Sequence, residues 1–548
     1  MSSFTVSGQI VDVIAGRIFA GTVVVEHGRI VDIRDDPHHA STHFILPGFV
    51  DAHIHIESSM MMPSEFARFA VVHGTVGTVS DPHEIANVLG DEGIELMVQN
   101  GLRVPFKFHF GAPACVPATP YETAGAVLDA TAIRQLFAKM GLKYLAEVMN
   151  FPGVLHGDAD LLAKIAAAKE LGLPIDGHAP GLRGDEAARY AAAGPSTDHE
   201  CVTLAEAEDK LAGGMSILIR EGSAARNFAA LHPLLRSHPD RCMFCSDDLH
   251  PDSLQHGHIN RLVERAVAEG HDRIAVIRAA TLNPVRHYGL PVGLLRIGDP
   301  ADFIVVSDLT TFRVRQTYID GQCVAEDGVS RIDRVVVVPH NKFGVTAKRV
   351  DEFRVESRSG LIRVIEALDG QLVTNELHLN AHIDGDDLIS DIANDVLKIA
   401  VVNRYADAPP AVGFIRGFGL KAGAIASTVA HDSHNIVAVG TTDAELCRAV
   451  NALIEARGGL AVVDGNRVDI LELEVAGLMS GDGEGVTAGY TRLQHEAIAL
   501  GSTLKAPFMT LSFMALLVIP KLKLSDRGLF DGSTFEFLSL FVDDQLPR

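Results

Sequence analysis

The sequence predicts an α/β protein whose largest part is a barrel of eight parallel strands. The first observation is that, from Leu46 onward, short apolar runs end in polar residues and are each followed by a helix-like segment. The second is that eight such pairs follow one another before residue 300, and this alternation is typical of a (β/α)8 barrel. The third is the polar residues at the strand ends, because the sites of such barrels lie at the C-terminal ends of the strands.

The barrel elements can be taken in chain order. The predicted strands are FILPGFVDAH, GTVGTVSD, FKFHFGAPA, KYLAEVM, LPIDGHA, STDHECV, MSILIREGS and RCMFCSDD. The predicted helices are EFARFAVVHG, EGIELMVQNG, TAIRQLFAKMG, DLLAKIAAAKELG, DEAARYAAAG, LAEAEDKLAGG, NFAALHPLLRSH and INRLVERAVAEG. Before the barrel, residues 1–45 form short strands with glycine-containing turns. After it, residues 340–548 mix strand-like and helix-like segments, which indicates an α/β or α+β domain.

Length and composition exclude several classes of protein. A chain of 548 residues exceeds one usual core, so two or three domains are expected. The net charge of -23 argues against nucleic acid and against anionic membrane surfaces as partners. The longest apolar run, Phe508 to Pro520, is too short to span a bilayer, and the N-terminus has no basic start of a secretory signal. Six cysteines in so long a chain predict reduced thiols and a cytoplasmic location.

The stretch LPGFVDAHIHIESS carries the first chemical signal. Asp51, His53, His55 and Glu57 stand at every second position, so a strand would place them on one face. Polar residues recur at the ends of the other predicted strands, where a barrel would bring them to one mouth. The full set is His53, His55, Asp81, Glu147, His178, His199 and Asp247.

These residue types indicate a metal site. Imidazole and carboxylate ligands together favour Zn, Mn or Fe over Ca or Mg. Four histidines and two carboxylates exceed the needs of one tetrahedral ion and suit two ions with a bridging carboxylate. Two such ions can activate a water as nucleophile, and a nearby aspartate can take its proton and pass it to a leaving group.

Several blocks of the sequence resemble a known family. PGFVDAHIH resembles the first-strand signature of the amidohydrolase superfamily, and TLNPVRHYGLPVGLLRIGDPADFIVV resembles its return from the barrel to a small β-sandwich. Within that superfamily the chain resembles the bacterial adenine deaminase family over nearly its whole length. The blocks that carry this likeness are HIHIESSMMMPSEFA, SDPHEIANVLG, CVPATPYETAG, AEVMNFPGVL, DGHAPGL, STDHECVT, REGSAARN, FCSDDLHP, TVAHDSHNIVAVG and MSGDGEGVTAGY.

The resemblance implies a fold, a reaction and a ligand set. The implied domains are a small β-sandwich from residues 1–45 and 300–338, a barrel over 46–299 and the family's C-terminal domain over 340–548. The implied reaction is hydrolysis of adenine to hypoxanthine and ammonia, in purine salvage, with two divalent ions, Mn or Fe, and Zn as the alternative. His53 and His55 would hold one ion with Asp247, and His178 and His199 the other. Glu147 would bridge, at the position where many relatives use a carboxylated lysine; Lys143 is the alternative.

Other roles are expected for residues at the strand ends and in the segments that follow them. Asp247 is expected to be the general base, and Glu84 or Asp81 the proton donor, although both acids also suit the N-terminus of a helix. Cys115, Thr119, Arg220 and Glu221 are expected to contact the substrate; an ordered loop and an Arg–Glu pair are the structural alternatives. We also expect a homo-oligomer, most simply a dimer. Asp248 is expected to point away from the site, and Cys242 and Cys245 to be core residues.

The role of one group of residues and the function of the site both have alternatives. His431, Asp432 and His434 have ligand chemistry and would bind a further ion, reach over the barrel mouth or satisfy buried polar groups. The same two-ion site would also suit a cyclic amide or urea hydrolase of the dihydroorotase or hydantoinase kind. A non-catalytic metal-binding assembly protein is the third reading, although it would not need Asp247 or Glu84 beside the ligands.

Overall fold

The computed structural model describes residues 3–37 and 42–543 and divides into two compact units. The first unit comprises Met1–Pro82, Glu95–Ala114 and Asp129–Val336. The second comprises His83–Ile94, Cys115–Leu128 and Val337–Arg548. The chain therefore passes between the units several times before the barrel-like repeat is complete.

The two flanking segments of the first unit meet in one sheet of eight strands. These strands are Phe4–Asp12, Arg17–Glu26, Arg29–Asp35, Phe44–Pro47, Phe303–Val306, Val314–Ile319, Gln322–Glu326 and Val329–Ser330. Phe44–Pro47 lies at the centre, parallel to Phe4–Asp12 and antiparallel to Phe303–Val306. Alternate apolar side chains such as Val23 and Phe303 are fully buried on one face, which is the usual way a mixed sheet builds a core.

Eight short parallel strands lie between these flanks. Their bounds are Phe49–Ile54, Thr75–Ser80, Lys107–Phe110, Leu145–Val148, Ile175–Gly177, Thr197–Asp198, Ser216–Arg220 and Cys242–Cys245. The first three pair in parallel, as do the fourth with the fifth and the last three with one another. Seven predicted strand segments each contain one of these strands, and nearly all of their side chains are buried. The first segment, FILPGFVDAH, was wrong in detail, because it spans Phe44–Pro47 of the flanking sheet and ends one residue before Ile54.

The helices between the parallel strands also follow the prediction. Those that match single predicted segments are Pro63–Ala70, Asp91–Gly101, Ala130–Met140, Ala159–Glu170, Gly184–Ala193, Leu204–Ala212 and Ile259–Ala268. The remaining prediction, NFAALHPLLRSH, was wrong in detail because this segment forms two short helices, Phe228–Leu231 and Leu234–Ser237. Pro233 separates them, since it has no backbone N–H for a continuing helix. Additional helices are Phe151–His156, Pro251–His256, Arg273–Ala280 and Leu282–Tyr288, with 3-10 turns at Ile56–Ser59, Val71–His73 and Pro239–Arg241.

The second unit is built on a separate, mostly antiparallel sheet. Its eight strands are Leu361–Ala367, Thr374–Asn380, Val396–Val402, Ala411–Arg416, Ala424–Ser427, Ile436–Gly440, Gly459–Asp464 and Arg467–Glu472. Two smaller sheets consist of Val355–Glu356, Ile383–Asp384 and Asp387–Leu388, and of Leu522–Ser525, Gly528–Asp531 and Glu536–Leu538. Its helices are His83–Leu89, Asp443–Ala456, Gly483–Ala499 and Pro507–Ser512, with 3-10 turns at Val350–Phe353 and Ile392–Asn394.

The main helix of this unit shows why the segment folds as it does. Thr442 caps Asp443–Ala456 by accepting a hydrogen bond from the Glu445 N–H at 3.2 Å, and the helix ends at Arg457 in a left-handed conformation. Leu446, Val450 and Leu453 recur at helical spacing and are fully buried. Across the described ranges, 3–37 and 42–543, we find no helix with the length and apolar character to cross a membrane.

Candidate metal centre

Six side chains singled out in the sequence come together in the first unit. They lie at or just beyond the C-terminal ends of five parallel strands. The C-terminal ends of parallel strands lie at the same edge of a sheet, which is why these residues can meet. The six are His53, His55, Glu147, His178, His199 and Asp247. All are buried except His178, whose side chain is 12% exposed.

Nitrogen and oxygen atoms of this cluster converge at short range. His53 Nε2 lies 3.2 Å from His55 Nε2, and His55 Nε2 lies 3.3 Å from both Glu147 Oε1 and Asp247 Oδ1. The other oxygen of Glu147, Oε2, lies 2.5 Å from His178 Nδ1 and 3.1 Å from His199 Nε2. Glu147 thus reaches one histidine with one oxygen and two with the other, the arrangement of a bridging ligand.

Lys143 is not part of this arrangement. Its side chain is exposed, whereas Glu147 is buried near the end of the strand Leu145–Val148. The two residues are four apart, so strand alternation alone could not separate them. They differ in position, because Lys143 lies before the strand begins at Leu145 and Glu147 lies near its end.

The strand that ends at Ile54 departs from simple alternation. A 3-10 turn begins at Ile56, so strand alternation does not extend to Glu57. The prediction that Glu57 shares one strand face with Asp51, His53 and His55 was therefore wrong. Asp51 instead contacts His258 Nε2 at 2.8 Å and accepts a hydrogen bond from the Ser246 N–H at 3.0 Å. Asp51 therefore ties the first strand to the segment that follows the eighth.

Asp247 is held in an unusual backbone conformation. Its φ is 56°, in the left-handed region, where aspartate is tolerated better than most residues. Its N–H donates to the His53 carbonyl at 2.9 Å, and its carbonyl accepts from the His55 N–H at 3.3 Å. These bonds hold one carboxylate oxygen toward the histidines, while Asp248 accepts a hydrogen bond from Ser58 Oγ.

Arg220 and Glu200 complete the charged surroundings. Arg220 Nη1 donates to Asp247 Oδ2 and to Glu200 Oε1, and Arg220 Nε donates to the Ala225 carbonyl at 2.7 Å. Glu200 Oε1 also lies 3.6 Å from His199 Nε2 and 3.8 Å from His178 Nδ1. Sequence reasoning missed Glu200. Its position directly after His199 was the available signal. Strand alternation would place these two neighbours on opposite faces, but the strand ends at Asp198, so alternation does not apply to either of them.

The electrostatics of the cluster are dominated by burial and by mutual charge. Burial opposes protonation of His178, but Glu200 and Glu147 outweigh it and raise its pKa to about 9. Burial disfavours ionisation of Glu147 and Asp247 as well. Neighbouring cations nevertheless hold both pKa values well below the usual range: His178 for Glu147 and Arg220 for Asp247. Burial, and then His199, lower the pKa of His53 well below 6.5.

The donor set fits divalent ions. His55 Nδ1 faces the Asp81 carbonyl at 3.2 Å, an acceptor only, so the ring proton sits on Nδ1 and the Nε2 lone pair faces the cluster. That lone pair lies 3.2 Å from His53 Nε2, and such a close pair of ring nitrogens calls for a proton or a cation. The Nδ1 atoms of His53 and His199 are buried without a hydrogen-bond partner among the described residues, so neither ring is committed to a purely structural network.

The remaining predicted residues differ in their surroundings. Asp81 follows the second strand, and its N–H donates to the Ile54 carbonyl at 3.0 Å. Glu221 lies 2.9 Å from Arg265 Nη1 rather than pairing with Arg220. Cys115 and Thr119 belong to the second unit, where Cys115 is buried and Thr119 Oγ1 donates to Glu122 at 2.9 Å. The side chains of Cys242 and Cys245 are fully buried, as expected of core residues.

A second cluster of histidines and acids lies in the second unit, and we call it the Glu84 cluster. It consists of His83, Glu84, His431, Asp432 and His434. Glu84 accepts hydrogen bonds from His431 Nδ1 and His434 Nε2, one on each oxygen. Burial disfavours ionisation of Glu84, but His431 and His434 hold its pKa well below the usual range.

Comparison with protein families shows the class of protein to which this chain belongs. The amidohydrolase family model matches residues 44–324, and the model of the adenine deaminase C-terminal domain matches residues 371–536. Among solved structures, N-acetyl-D-glucosamine-6-phosphate deacetylase from Mycobacterium smegmatis is 18% identical, with a TM-score of 0.46, over 59% of this chain and 100% of that one. A likeness of this size does not inform the site.

Relatives named adenine deaminase match over almost the full length. The protein from Salinibacter ruber is 55% identical over 99% of this chain and 100% of its own length. Those from a Sulfurovum species and from Methanosarcina mazei are 56% and 51% identical, over 96% and 98% of this chain and 98% and 99% of their own lengths. The chain therefore belongs to the adenine deaminase family of the amidohydrolases. The family resemblance found in the sequence is confirmed.

Proposed function

We propose that this protein hydrolyses adenine to hypoxanthine and ammonia at the six-residue cluster of the first unit. One observation carries the proposal: four imidazoles and two carboxylates converge in one buried site of a chain whose full-length relatives are named adenine deaminase. A buried set of this kind has no ordinary structural use, because burying so many ionisable groups is costly unless they are paired or bind ions.

Two divalent ions would be held by these side chains. His53, His55 and Asp247 would provide one set and His178 and His199 the other, with Glu147 shared between them. When bound, the ions lower the pKa of water toward neutrality and polarise the substrate. Nitrogen and carboxylate donors suit Mn and Fe, and also Zn.

The chain's own residues would handle the protons. Asp247 is ionised, because Arg220 holds its pKa well below the usual range, so it is available to accept a proton from the attacking water. Oxygen adds to the carbon that bears the amino group, and a ring nitrogen takes up a proton as that carbon becomes tetrahedral. Asp247 then returns its proton to the amino group, the carbon–nitrogen bond breaks, and ammonia leaves. The remaining hydroxyl proton returns to the acid that protonated the ring nitrogen, which leaves the carbonyl of hypoxanthine.

The proton donor to the ring nitrogen has two candidates, Asp81 and Glu84. Asp81 belongs to the first unit and is buried at the end of the second strand. Glu84 belongs to the second unit, and its histidine partners keep it ionised, which makes it a weak donor by itself. Substrate contacts of Cys115, Thr119, Arg220 and Glu221 stay predictions, as do a cytoplasmic location and a homodimer.

We also propose that the eight parallel strands close into a (β/α)8 barrel over residues 46–299. Three links support closure: Ala146 N–H to the Ala112 carbonyl at 2.9 Å, Ser196 N–H to Ile175 at 2.8 Å, and Asp247 N–H to His53 at 2.9 Å. The flanks 1–45 and 300–338 would form the small β-sandwich domain, and 340–548 the C-terminal domain.

The test is a substrate panel with manganese-loaded protein. We expect ammonia release from adenine and little from adenosine. The matched control is the same protein stripped of metal by chelation, which should be inactive. Protein that leaves adenine untouched but opens dihydroorotate or a hydantoin would replace this proposal with the cyclic amide hydrolase reading.

A further inference from the structure

We propose that the Glu84 cluster is a binding site for a further divalent cation, with His83, Glu84 and Asp432 as its ligands. These residues are other than those of the six-residue cluster, and the proposal does not rest on the deamination of adenine. All three side chains are at most 4% exposed, and they lie within the second unit. The segment AHDSHN, which the sequence left open, thereby acquires a use.

The distances between the ligand atoms fit an ion held between them. His83 Nε2 lies 3.4 Å from Glu84 Oε1 and 3.8 Å from Asp432 Oδ1. Bonds of about 2.0–2.2 Å to a tetrahedral ion place ligand atoms about 3.3–3.6 Å apart. The His83–Glu84 separation falls in this range, and the His83–Asp432 separation is slightly longer.

His434 holds the Glu84 carboxylate from behind. The Ala430 N–H donates to His434 Nδ1 at 3.1 Å, so Nδ1 carries no proton and the neutral ring has its proton on Nε2. That Nε2–H donates to Glu84 Oε2. Oε1 accepts a hydrogen bond from His431 Nδ1 with one lone pair and has its second lone pair for the ion. A ligating carboxylate fixed by such a hydrogen bond is the usual outer-shell arrangement of a metal site. His434 is therefore a positioning residue rather than a ligand.

An unpartnered oxygen points to a missing positive charge. Asp432 Oδ2 is buried and has no hydrogen-bond partner among the described residues. Excess negative charge of this kind is relieved when a cation binds.

The ligand chemistry limits the ion. One imidazole and two carboxylates suit Mn, Fe or Zn better than Ca or Mg, which prefer oxygen ligands alone. Three protein ligands leave at least one position for water or another group. Glu84 bound to an ion is not available as a proton donor, and Asp81 is then the remaining candidate for that role.

Metal counting with full-length protein tests the site. The protein is stripped with a chelator, reloaded with Mn²⁺ and desalted, and the manganese per chain is measured. We expect Asp432→Asn to hold about one ion fewer than the wild type. Asp407→Asn, which removes an exposed carboxylate paired with Lys348 in the same unit, is the matched control and should hold the wild-type number.

A second measurement covers variants that fail to fold. In His434→Gln the amide N–H replaces Nε2–H, and circular dichroism checks the fold. Mn²⁺ titration followed by electron paramagnetic resonance should show one site weakened by about 10–100-fold, and more in His434→Ala. Folded Asp432→Asn protein with the wild-type manganese number would overturn the proposal, as would unchanged Mn²⁺ affinities in both His434 variants. Deamination of adenine is not the readout, so failure here is distinguishable from failure of the proposed function.

Discussion

The six-residue cluster and the Glu84 cluster contain the same two kinds of side-chain group, imidazoles and carboxylates, in different proportions. In the first, four histidines surround two carboxylates, and the ligands stand at the ends of parallel strands. In the second, two histidines donate to one carboxylate, and its members come from the helix His83–Leu89 and from the segment after the strand Ala424–Ser427. The difference teaches that the same ligand types can be used differently. In the first cluster several ring nitrogens face one another, whereas in the second two histidines already donate to the carboxylate.

The largest expected effect is loss of the first cluster's ions. His53→Ala or His178→Ala should reduce both metal content and adenine turnover to background, because each removes a nitrogen donor from a different half of the cluster. Metal analysis and ammonia release are measured on the same preparation. Full ion content and normal turnover in either variant would contradict the assignment of these histidines as metal ligands.

The bridging role of Glu147 gives the next largest effect. Glu147→Ala should lower turnover at least about 100-fold, the upper end of the loss expected for an outer-shell partner, since a shared ligand is removed. Lys143→Ala is the matched control on the same strand segment and should stay near the wild type, because Lys143 is exposed. The reverse ranking would assign the bridge to a modified lysine.

Arg220 sharpens the comparison, because it pairs with both Asp247 and Glu200 beside the first cluster. Arg220→Gln leaves Asp247 and Glu200 without their shared cation, so kcat should fall about 10–100-fold with a smaller change in KM. Arg265→Gln, which breaks only the pair with Glu221, is the control. A rise in KM at constant kcat would instead support the predicted substrate contact of Arg220.

The smallest effect concerns a buried cation in the second unit that belongs to neither cluster. Lys523 donates to the Leu372 and Phe513 carbonyls at 2.7 and 3.0 Å, and burial lowers its pKa from 10.5 to about 7. Between these values the unfolded chain binds a proton that the folded chain does not, so this residue's contribution to stability rises from pH 7 to pH 10. Melting temperatures of wild type and Lys523→Met should therefore converge or cross as pH rises. A constant difference would contradict the lowered pKa.

Much of the first cluster was open to sequence reasoning, whereas Glu84, His431, Asp432 and His434 of the second were singled out only separately and not as one cluster. His53 and His55 are two residues apart, and the strand rhythm predicts the other positions. The hydrogen bond between Glu84 and His431 joins residues 347 positions apart in different types of element, and no local period reports such a contact. Asp247 was predicted by its place after a strand, but its left-handed backbone was not, since alternation stops where the strand stops. Glu200 was missed for the same reason.

The central claim is that the first cluster is a catalytic metal site in which Asp247 moves the proton. Asp247→Asn and Asp248→Asn test it most directly, because the two residues are neighbours in sequence but only Asp247 contacts His55 and Arg220, while Asp248 contacts Ser58. The measurement is kcat for adenine at matched metal content. We predict a loss of about 10²–10⁴-fold or more for Asp247→Asn and a much smaller loss for Asp248→Asn. Near-normal turnover in Asp247→Asn, or an inactive Asp248→Asn, would contradict the account.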